Sequence, residues 1–317
     1  MQKSDLKASI LLILAALIWG FAFVAQRVGV QYIGSFTFTG IRFALGAISL
    51  LPLFWYTNKK NNTAETNESS LGNDKNKKSV IKAGAIAGTV LFVAAALQQF
   101  GLEETTAGKS AFITGFYIIL VPALGIFFKQ KTSVTTWIAA VLAITGLYFI
   151  SVNENFYIAK GDLLTFMCSF FFAAHILLIN KYTQFLDTLK LSFVQYLVCS
   201  LLSLILAVML EDLNISNIIK AAIPILYGGI FSVGIAYTLQ VYGQKYAKAS
   251  HAAIIMSLES VFAVIGGILL LKESMSLRGY AGCLLMLSGV IISQYKGQQE
   301  KNINETEMVT TPVDSIQ

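Results

Sequence analysis

One apolar segment with a single charge constrains the fold of this chain more than any other stretch. Residues 252–271 read AAIIMSLESVFAVIGGILLL, and their only charge is Glu259. At about 1.5 Å rise per residue, a helix of this length matches the ~30 Å hydrocarbon layer and holds Glu259 near the bilayer midplane. A carboxylate at that depth costs at least ~2.5 kcal/mol on insertion scales, and proteins tolerate it where it faces other helices or a water-filled cavity. The rest of the chain must therefore build a protein interior within the membrane.

The composition supports this interpretation along the whole chain. Of the 317 residues, 56% are hydrophobic and 13% are charged, whereas soluble domains carry about 25% charged residues. The mean hydropathy is +0.67. The net charge is +6, and the Lys and Arg residues lie between apolar segments. Their positions therefore indicate on which side of the membrane each connection lies, and they do not predict nucleic-acid binding. We predict an all-α integral membrane protein.

Ten apolar segments predict ten transmembrane helices. They are residues 8–28, 34–57, 79–100, 105–128, 134–152, 161–181, 190–210, 219–243, 250–271 and 277–295. An even number of crossings places both termini on one side. Sixteen of the 23 Lys and Arg residues then fall on that side, and the positive-inside rule makes it the cytoplasm. The predicted location is the cytoplasmic membrane.

The segments between the predicted spans complete the domain plan. Residues 1–7 are predicted to be a cytoplasmic N-terminus, and residues 153–160 an external linker. Residues 58–78 and 296–317 are rich in Asn, Glu, Lys and Thr and poor in large apolar side chains. Such segments bury too little apolar surface to offset their ordering entropy. We predict a flexible cytoplasmic loop and a disordered cytoplasmic tail.

An internal repeat relates the two halves of the chain. A shift of 142 residues carries predicted spans three to five onto spans eight to ten. Among the matched pairs are Leu97 and Leu239, Gln98 and Gln240, Gly101 and Gly243, Ala111 and Ala253, and Gly125 and Gly267. Because five spans per unit is an odd number, the second unit is inverted relative to the first. Residues 8–152 and 161–295 therefore predict the inverted-repeat plan of secondary transporters, with a substrate site near the midplane.

Several motifs carry a family resemblance. They are LIWGFAF at residues 17–23, IRF at 41–43, YIILVP at 117–122, LESVF at 258–262 and LLKE at 270–273. With these motifs the chain resembles the EamA-type branch of the drug/metabolite transporter superfamily over residues 8–295. The resemblance implies transport of small organic metabolites, with export the commoner direction.

The chain departs from the family pattern at three places. Ser260 stands where proline usually follows the span-nine glutamate, which removes the usual cause of a kink. Phe172 aligns with Trp19, and His175 takes the place of an aromatic residue. The fourth span ends in residues 129–131, KQK, where the family usually has an acidic residue.

Polar residues within the spans are the candidates for a site. Glu259 is predicted to be a counter-ion for a cationic group or a proton carrier; the structural alternative is that it pairs with Arg42 or caps a broken helix. Arg42 fixes helix contacts or snorkels to the interface, and its functional alternative is recognition of a substrate carboxylate. His175 lies in an apolar run, where it is either a core histidine or a proton relay in contact with the cavity, because imidazole titrates near physiological pH.

Aromatic and amide side chains complete the candidate list. Trp19, Tyr117 and Tyr237 lie within spans and could hold an organic cation by cation–π contact, although core packing explains each of them equally well. Together with Glu259 and His175 they are predicted to line one chamber. Gln98 and Gln240 are equivalent in the repeat and are predicted to form symmetric hydrogen bonds between helices. Gly115 and Pro122 are candidates for breaking span four.

The sequence also favours some function classes over others. No P-loop, GxGxxG, HExxH or paired-carboxylate motif is present, which disfavours a primary pump and an enzyme. The three cysteines lie in apolar segments without metal-ligand spacing, so no metal or cofactor is expected. The predicted partners are a small-molecule substrate, the lipid bilayer and protons as coupling ion, with a homodimer left open and no nucleic acid.

We therefore predict a secondary active transporter that moves an amino acid, amine or similar solute by alternating access, as a proton-coupled exporter. The rival hypothesis is a non-transporting receptor or scaffold that binds a lipid or a partner protein. The midplane carboxylate favours the transporter, because a scaffold has no need of it.

Overall fold

The chain forms an all-helical bundle, as the apolar pattern predicts. The computed structural model describes residues 3–61, 70–127, 132–151, 160–271, 277–278 and 280–292. In chain order the helices are α1 (Lys3–Gly29), α2 (Ser35–Ser49), α3 (Leu51–Asn61), α4 (Ser70–Glu104), α5 (Ala107–Thr114), α6 (Tyr117–Phe127), α7 (Val134–Ser151), α8 (Lys160–Tyr182), α9 (Thr188–Leu210), α10 (Ile215–Lys220), α11 (Ala222–Leu226), the π-helix π1 (Tyr227–Tyr237), α12 (Thr238–Gln244), α13 (Ala249–Met256), α14 (Glu259–Leu271) and α15 (Tyr280–Ile292).

Within the described residues, eight helical segments are long and apolar enough to cross a membrane. They are Asp5–Gly29, Ser35–Tyr56, Lys78–Glu104, Ala107–Phe127, Lys160–Tyr182, Thr188–Leu210, Ala222–Gln244 and Ala249–Leu270. The two remaining predicted spans also hold apolar helix, but over the shorter stretches Val134–Gly146 and Tyr280–Ile292. Each of the ten predicted segments is thus helical, and eight meet the length needed to span.

The predicted connecting segments are only partly described. Residues 58–61 and 70–78, which were assigned to a flexible loop, continue α3 and begin α4. Lys160, assigned to the external linker, is the first residue of α8. Residues 62–69, 153–159 and 296–317 lie outside the described residues.

Two spanning segments are interrupted near their middle. The fourth breaks at Gly115 and Phe116, between α5 and α6, and the ninth breaks between α13 and α14. Pro122 lies inside α6 and does not coincide with the break. In the ninth segment Leu258 and Ser260 donate to carbonyls three residues earlier, and the Ser257 hydroxyl donates to the Ile254 carbonyl at 2.7 Å. Backbone geometry and a serine therefore produce the interruption without a proline.

The two interruptions have the same hydrogen bonds at a shift of 142 residues. The bonds Gly115 N to Ala111 O, Phe116 N to Ile113 O, Ile118 N to Gly115 O and Leu120 N to Phe116 O correspond to Ser257 N to Ala253 O, Leu258 N to Ile255 O, Ser260 N to Ser257 O and Phe262 N to Leu258 O. Helices α5 and α13 start at equivalent residues, and so do α6 and α14. The repeat read from the sequence is therefore also a repeat of structure.

Packing between the halves is reciprocal. Helix α1 packs on π1, α12, α13 and α14, while α8, its counterpart in the second half, packs on α4, α5 and α6. Likewise α2 packs on π1 and α9 packs on α4, and α2 and α9 pack on each other. Reciprocal contacts of this kind are those of a two-fold relation. The halves are therefore interlocked around a pseudo-two-fold axis, and the core lies between them.

Glycines allow the closest approaches between the halves. A methyl group on Gly20 of α1 would overlap the Cβ and backbone of Phe262 in α14. Gly101 and Gly161 each approach the other's carbonyl oxygen, and a methyl group on either would overlap it. Small residues at such crossings let helix backbones meet in lipid, which supplies no hydrophobic drive for association.

Candidate functional site

A chamber lies between the two halves, and the empty space inside it and at its mouth together measures about 460 Å³. It takes residues from seven spanning segments, and both interrupted segments contribute. Its walls are formed by Trp19, Phe23, Gln26, Arg42, Gln98, Thr114, Tyr117, Phe172, Ile176, Ser232, Tyr237, Gln240, Met256 and Glu259.

Glu259 and Tyr117 meet in this chamber. Glu259 is 5% exposed and is the first residue of α14, so it stands at a helix N-terminus, where the backbone amides favour negative charge. The Tyr117 hydroxyl, on the first residue of α6, donates to Glu259 Oε1 at 2.9 Å. The two residues are 142 positions apart and are therefore equivalent in the repeat. Because equivalent residues touch each other, their contact lies on the pseudo-two-fold axis.

Arg42 faces the same chamber from α2. It is 2% exposed, and its guanidinium carbon lies 5.6 Å from the ring centre of Phe38 and 5.3 Å from that of Phe43. Among the described residues no carboxylate lies within 4 Å of it, and its Nε has no hydrogen-bond partner. The pairing of Arg42 with Glu259, considered from the sequence, is therefore absent from this structure. Aromatic rings hold the cation.

Aromatic side chains form one wall of the chamber. The rings of Trp19 and Tyr237 make an edge contact with their centres 4.8 Å apart, and Tyr237 also lies 5.8 Å from Phe43. Trp19 Nε1 donates to the Ser232 carbonyl at 3.2 Å, within π1. The π-helix shifts backbone register next to the site, as such helices often do. Trp19, Tyr117 and Tyr237 thus share a chamber with Glu259, the arrangement that the sequence predicted.

His175 does not line the chamber. It is fully buried in α8, one layer behind Tyr237, with the two ring centres 6.3 Å apart. Its Nε2 lies 2.9 Å from Gln195 Oε1, and its Nδ1 has no partner among the described residues. Its neighbours Phe172 and Ile176 face the chamber instead. The prediction that His175 contacts the cavity is therefore corrected, because the helix turns its side chain toward α9.

The two equivalent glutamines do not form symmetric hydrogen bonds. Gln98 Nε2 donates to the Thr114 hydroxyl at 3.1 Å. Gln240 lines the chamber, but its Oε1 has no partner in the described part of the chain. The residue equivalent to Thr114 is Met256, which offers no hydroxyl. The symmetry of the backbone is thus not matched by the side chains.

Several wall residues were not singled out from the sequence. Gln26 and Thr114 are polar residues inside apolar spans, a signal that could have identified them. Ser232, Met256 and Phe23 give no such signal, because comparable residues occur throughout the spans.

Polar contacts hold helices together at both ends of the bundle, and those of Lys109 with Asp162 and of Glu211 with α2 join the two halves. Near the end of α1, Arg27 Nη1 donates to the Leu102 carbonyl at 2.6 Å, and Lys109 forms an ion pair with Asp162. Glu211, at the end of α9, accepts from the backbone amides of Phe36 and Thr37 at 2.7 and 2.8 Å, where α2 begins.

At the opposite end of the bundle, Asn180 Nδ2 donates to the carbonyls of Gln244 and Ala247 at 3.1 and 2.9 Å. These contacts flank the chamber above and below.

Known proteins resemble this chain in sequence and in fold. An uncharacterized transporter of Archaeoglobus fulgidus is 31% identical over 296 residues, covering 90% of this chain and 85% of that protein. The uncharacterized transporter YoaV of Bacillus subtilis is 21% identical over 296 residues, covering 92% and 97%. One solved crystal structure of a protein aligns with a TM-score of 0.71 at 14% identity, over 92% of this chain and 98% of its own. The EamA-like transporter family model matches residues 6–152 and 159–295, once in each half. The chain therefore belongs to the EamA-like transporter family.

Proposed function

We propose that this membrane transporter is a ten-helix, inverted-repeat secondary carrier that works by alternating access. The observation that carries the proposal is that one buried acidic and one buried basic side chain, Glu259 and Arg42, line one chamber without forming an ion pair. Burying a charge without a partner costs free energy, and functional sites are where proteins accept that cost. The chamber lies between the interlocked halves, where carriers of this plan bind their substrates.

The proposed substrate is a small organic solute with a protonated amino group, an amino acid or related amine. The Glu259 carboxyl offers a counter-ion for an ammonium group, and the Trp19 and Tyr237 rings offer cation–π contact worth ~0.5–2 kcal/mol. Arg42 favours solutes that also carry a carboxylate, because the guanidinium matches it in shape and charge. Amino acids satisfy both requirements.

Proton coupling follows from competition for one carboxyl. A protonated Glu259 has no charge to offer an ammonium group, so proton and substrate exclude each other. When the chamber faces outward, a proton displaces the substrate; when it faces inward, the proton leaves and substrate rebinds. An inward proton gradient would then drive export, with both termini on the cytoplasmic side of the cell membrane.

Solute flux in proteoliposomes tests this proposal. The purified protein is reconstituted, and radiolabelled phenylalanine and 2-phenylethylamine are followed under an imposed pH gradient, with protein-free vesicles as control. We expect saturable movement of at least one probe, accelerated by the gradient. Binding of both probes without flux would favour the receptor or scaffold hypothesis. Flux that is indifferent to the gradient would remove proton coupling but keep the carrier.

A further inference from the structure

A buried amide in the chamber wall has no partner in the described part of the chain. Gln240 is 2% exposed and faces the chamber, and its Oε1 accepts no hydrogen bond. The large majority of buried side-chain polar atoms in folded proteins are hydrogen-bonded, so an unpartnered acceptor beside a cavity points to a group that enters the cavity. An acceptor of this kind fits an N–H or O–H donor.

The repeat shows that a difference in sequence leaves the Gln240 side-chain amide without the anchor that its counterpart has. At the equivalent place in the first half, Gln98 is anchored by the Thr114 hydroxyl at 3.1 Å. Gln98 lies within α4 and Gln240 in α12, directly after π1, and Met256 stands where Thr114 has its counterpart. One substitution in the second half therefore leaves Gln240 available to a ligand.

The position of Gln240 places its amide near the groups proposed to hold a cation. It lies three residues after Tyr237, one turn along the same helical face, and both side chains line the chamber with Glu259. A carboxylate and an aromatic ring attract any cation, whether or not it carries N–H groups. A neutral carbonyl oxygen makes a directional bond and needs a donor.

We propose that Gln240 is the residue that selects solutes by the N–H donors at their cationic end. This inference rests on the proposed transport of amino acids and amines, and it adds the discrimination of ammonium groups from quaternary ammonium groups. A site built to hydrogen-bond an N–H group rejects an analogue that lacks it, because a buried polar group is then left unpaired. Gln240 Oε1 accepts one N–H of the ammonium group, while Glu259 neutralises its charge.

A pair of probes with equal charge and equal ring tests the selection. Phenylalanine carries three N–H donors, and its N,N,N-trimethyl betaine carries none. Inhibition of radiolabelled phenylalanine uptake by unlabelled phenylalanine and by the betaine is compared in proteoliposomes. We expect the wild type to prefer phenylalanine by about tenfold or more, as expected for loss of a hydrogen bond to a charged donor. Gln240→Leu should bring the preference close to one.

Two further variants control the experiment. Gln98→Leu removes the equivalent amide, and the preference between the probes should remain that of the wild type, whatever the rate. Met256→Thr introduces the hydroxyl that the first half possesses. A threonine hydroxyl can donate to Gln240 Oε1 or accept from its Nε2, and either bond ties the amide to the wall, so the preference should fall. If Gln240→Leu fails to fold, Met256→Thr decides the question, since it leaves the amide in place.

Each outcome separates this inference from the proposed function. An unchanged preference in Gln240→Leu, or in Met256→Thr when Gln240→Leu does not fold, would overturn the role of Gln240 while leaving the carrier intact. A wild type that carries phenylalanine but accepts the betaine equally would do the same. A wild type that neither binds nor moves phenylalanine would refute the proposed substrate class, and the inference with it.

Discussion

Glu259 is held by a tyrosine and not by a cation, which determines how it tolerates neutralisation. Glu259→Gln keeps the shape and can still accept from Tyr117, but it cannot exchange a proton. We expect the variant to express and fold close to normally and to lose transport driven by a pH gradient. Uptake into proteoliposomes with and without the gradient measures the loss, and the unfolding temperature in detergent measures the fold.

The matched control for this variant is Tyr117→Phe, which removes the hydrogen bond but leaves the titrating carboxyl. It should retain a response to the gradient. If Glu259→Gln transports with an unchanged dependence on the gradient, Glu259 is not the coupling residue. If it fails to fold, Glu259 has mainly a structural role.

Arg42 is the one wall residue that carries a fixed positive charge within the described chamber. Replacing it with Gln should weaken binding of amino acids far more than binding of the amines that lack their carboxylate. Hydrogen bonds to charged groups contribute about 1.5–3 kcal/mol, so the preference for phenylalanine over 2-phenylethylamine should fall by about tenfold or more. Competition for uptake measures it. An equal loss for both probes would point instead to a role of Arg42 in holding Phe38 and Phe43.

At the residue scale, the sequence predicted the depth of a side chain in the membrane better than the direction in which that side chain points. Trp19, Tyr117, Tyr237 and Glu259 face the chamber, as their placement within the spans suggested. His175 has a similar depth but points away, because one residue along a helix turns a side chain by about 100°. In spans that are apolar all round, polar pattern alone does not identify the inner face.

At the scale of helices, α1 packs closely on α14, and Gly20 is the position in α1 where this contact is sensitive to substitution. A methyl group there would overlap the backbone of Phe262 in the interrupted ninth segment. We expect Gly20→Ala to destabilise the protein by about 1–3 kcal/mol, the usual cost of overpacking. Thermal unfolding of the purified protein measures the change.

Gly108→Ala serves as the control, because the nearest space around Gly108 holds no heavy atom within 4 Å. It should be neutral or slightly stabilising, as alanine favours a helix over glycine. Equal unfolding temperatures for Gly20→Ala and the wild type would contradict the tight crossing of α1 and α14.

The interruptions of the helices were harder to predict than the helices themselves. Gly115 suggested the break in the fourth segment, but Pro122 lies inside α6 and leaves it continuous. The ninth segment breaks beside Ser257 although it lacks a proline, the residue from which such a break would have been predicted. Local hydrogen bonds of the backbone decide such features, and apolar periodicity does not record them.

At the scale of the whole molecule, the prediction to test is its orientation in the membrane. In a variant without the three native cysteines, Cys introduced at Asn67 or Asn302 should resist a membrane-impermeant thiol reagent in intact cells. Cys introduced at Ser216, which is exposed between α9 and α11, should react and serves as the positive control. The expectation follows from the excess of Lys and Arg on the side of the termini. Labelling at Asn67 or Asn302 without lysis would reverse the assigned orientation.

The repeat could be read from the sequence, whereas the way its halves interlock could not. A shift of 142 residues matched glutamines and glycines, and the backbone hydrogen bonds follow the same shift. Nothing in either half foretells that α1 packs on α14 and α8 on α6, since lipid-facing and partner-facing sides are equally apolar.

The contact between Tyr117 and Glu259 has a consequence for how such a carrier moves. The two open states can be pictured as arising when each half adopts the conformation of the other. Every contact away from the axis is then replaced by the equivalent contact in the other half, its image. The bond from Gln98 to Thr114 has no such image, because Gln240 meets Met256 instead. The Tyr117–Glu259 contact is its own image and can persist in both states. Under the proposed proton coupling, the carboxyl that binds the proton stays in place at this contact, and water reaches it first from one side of the membrane and then from the other.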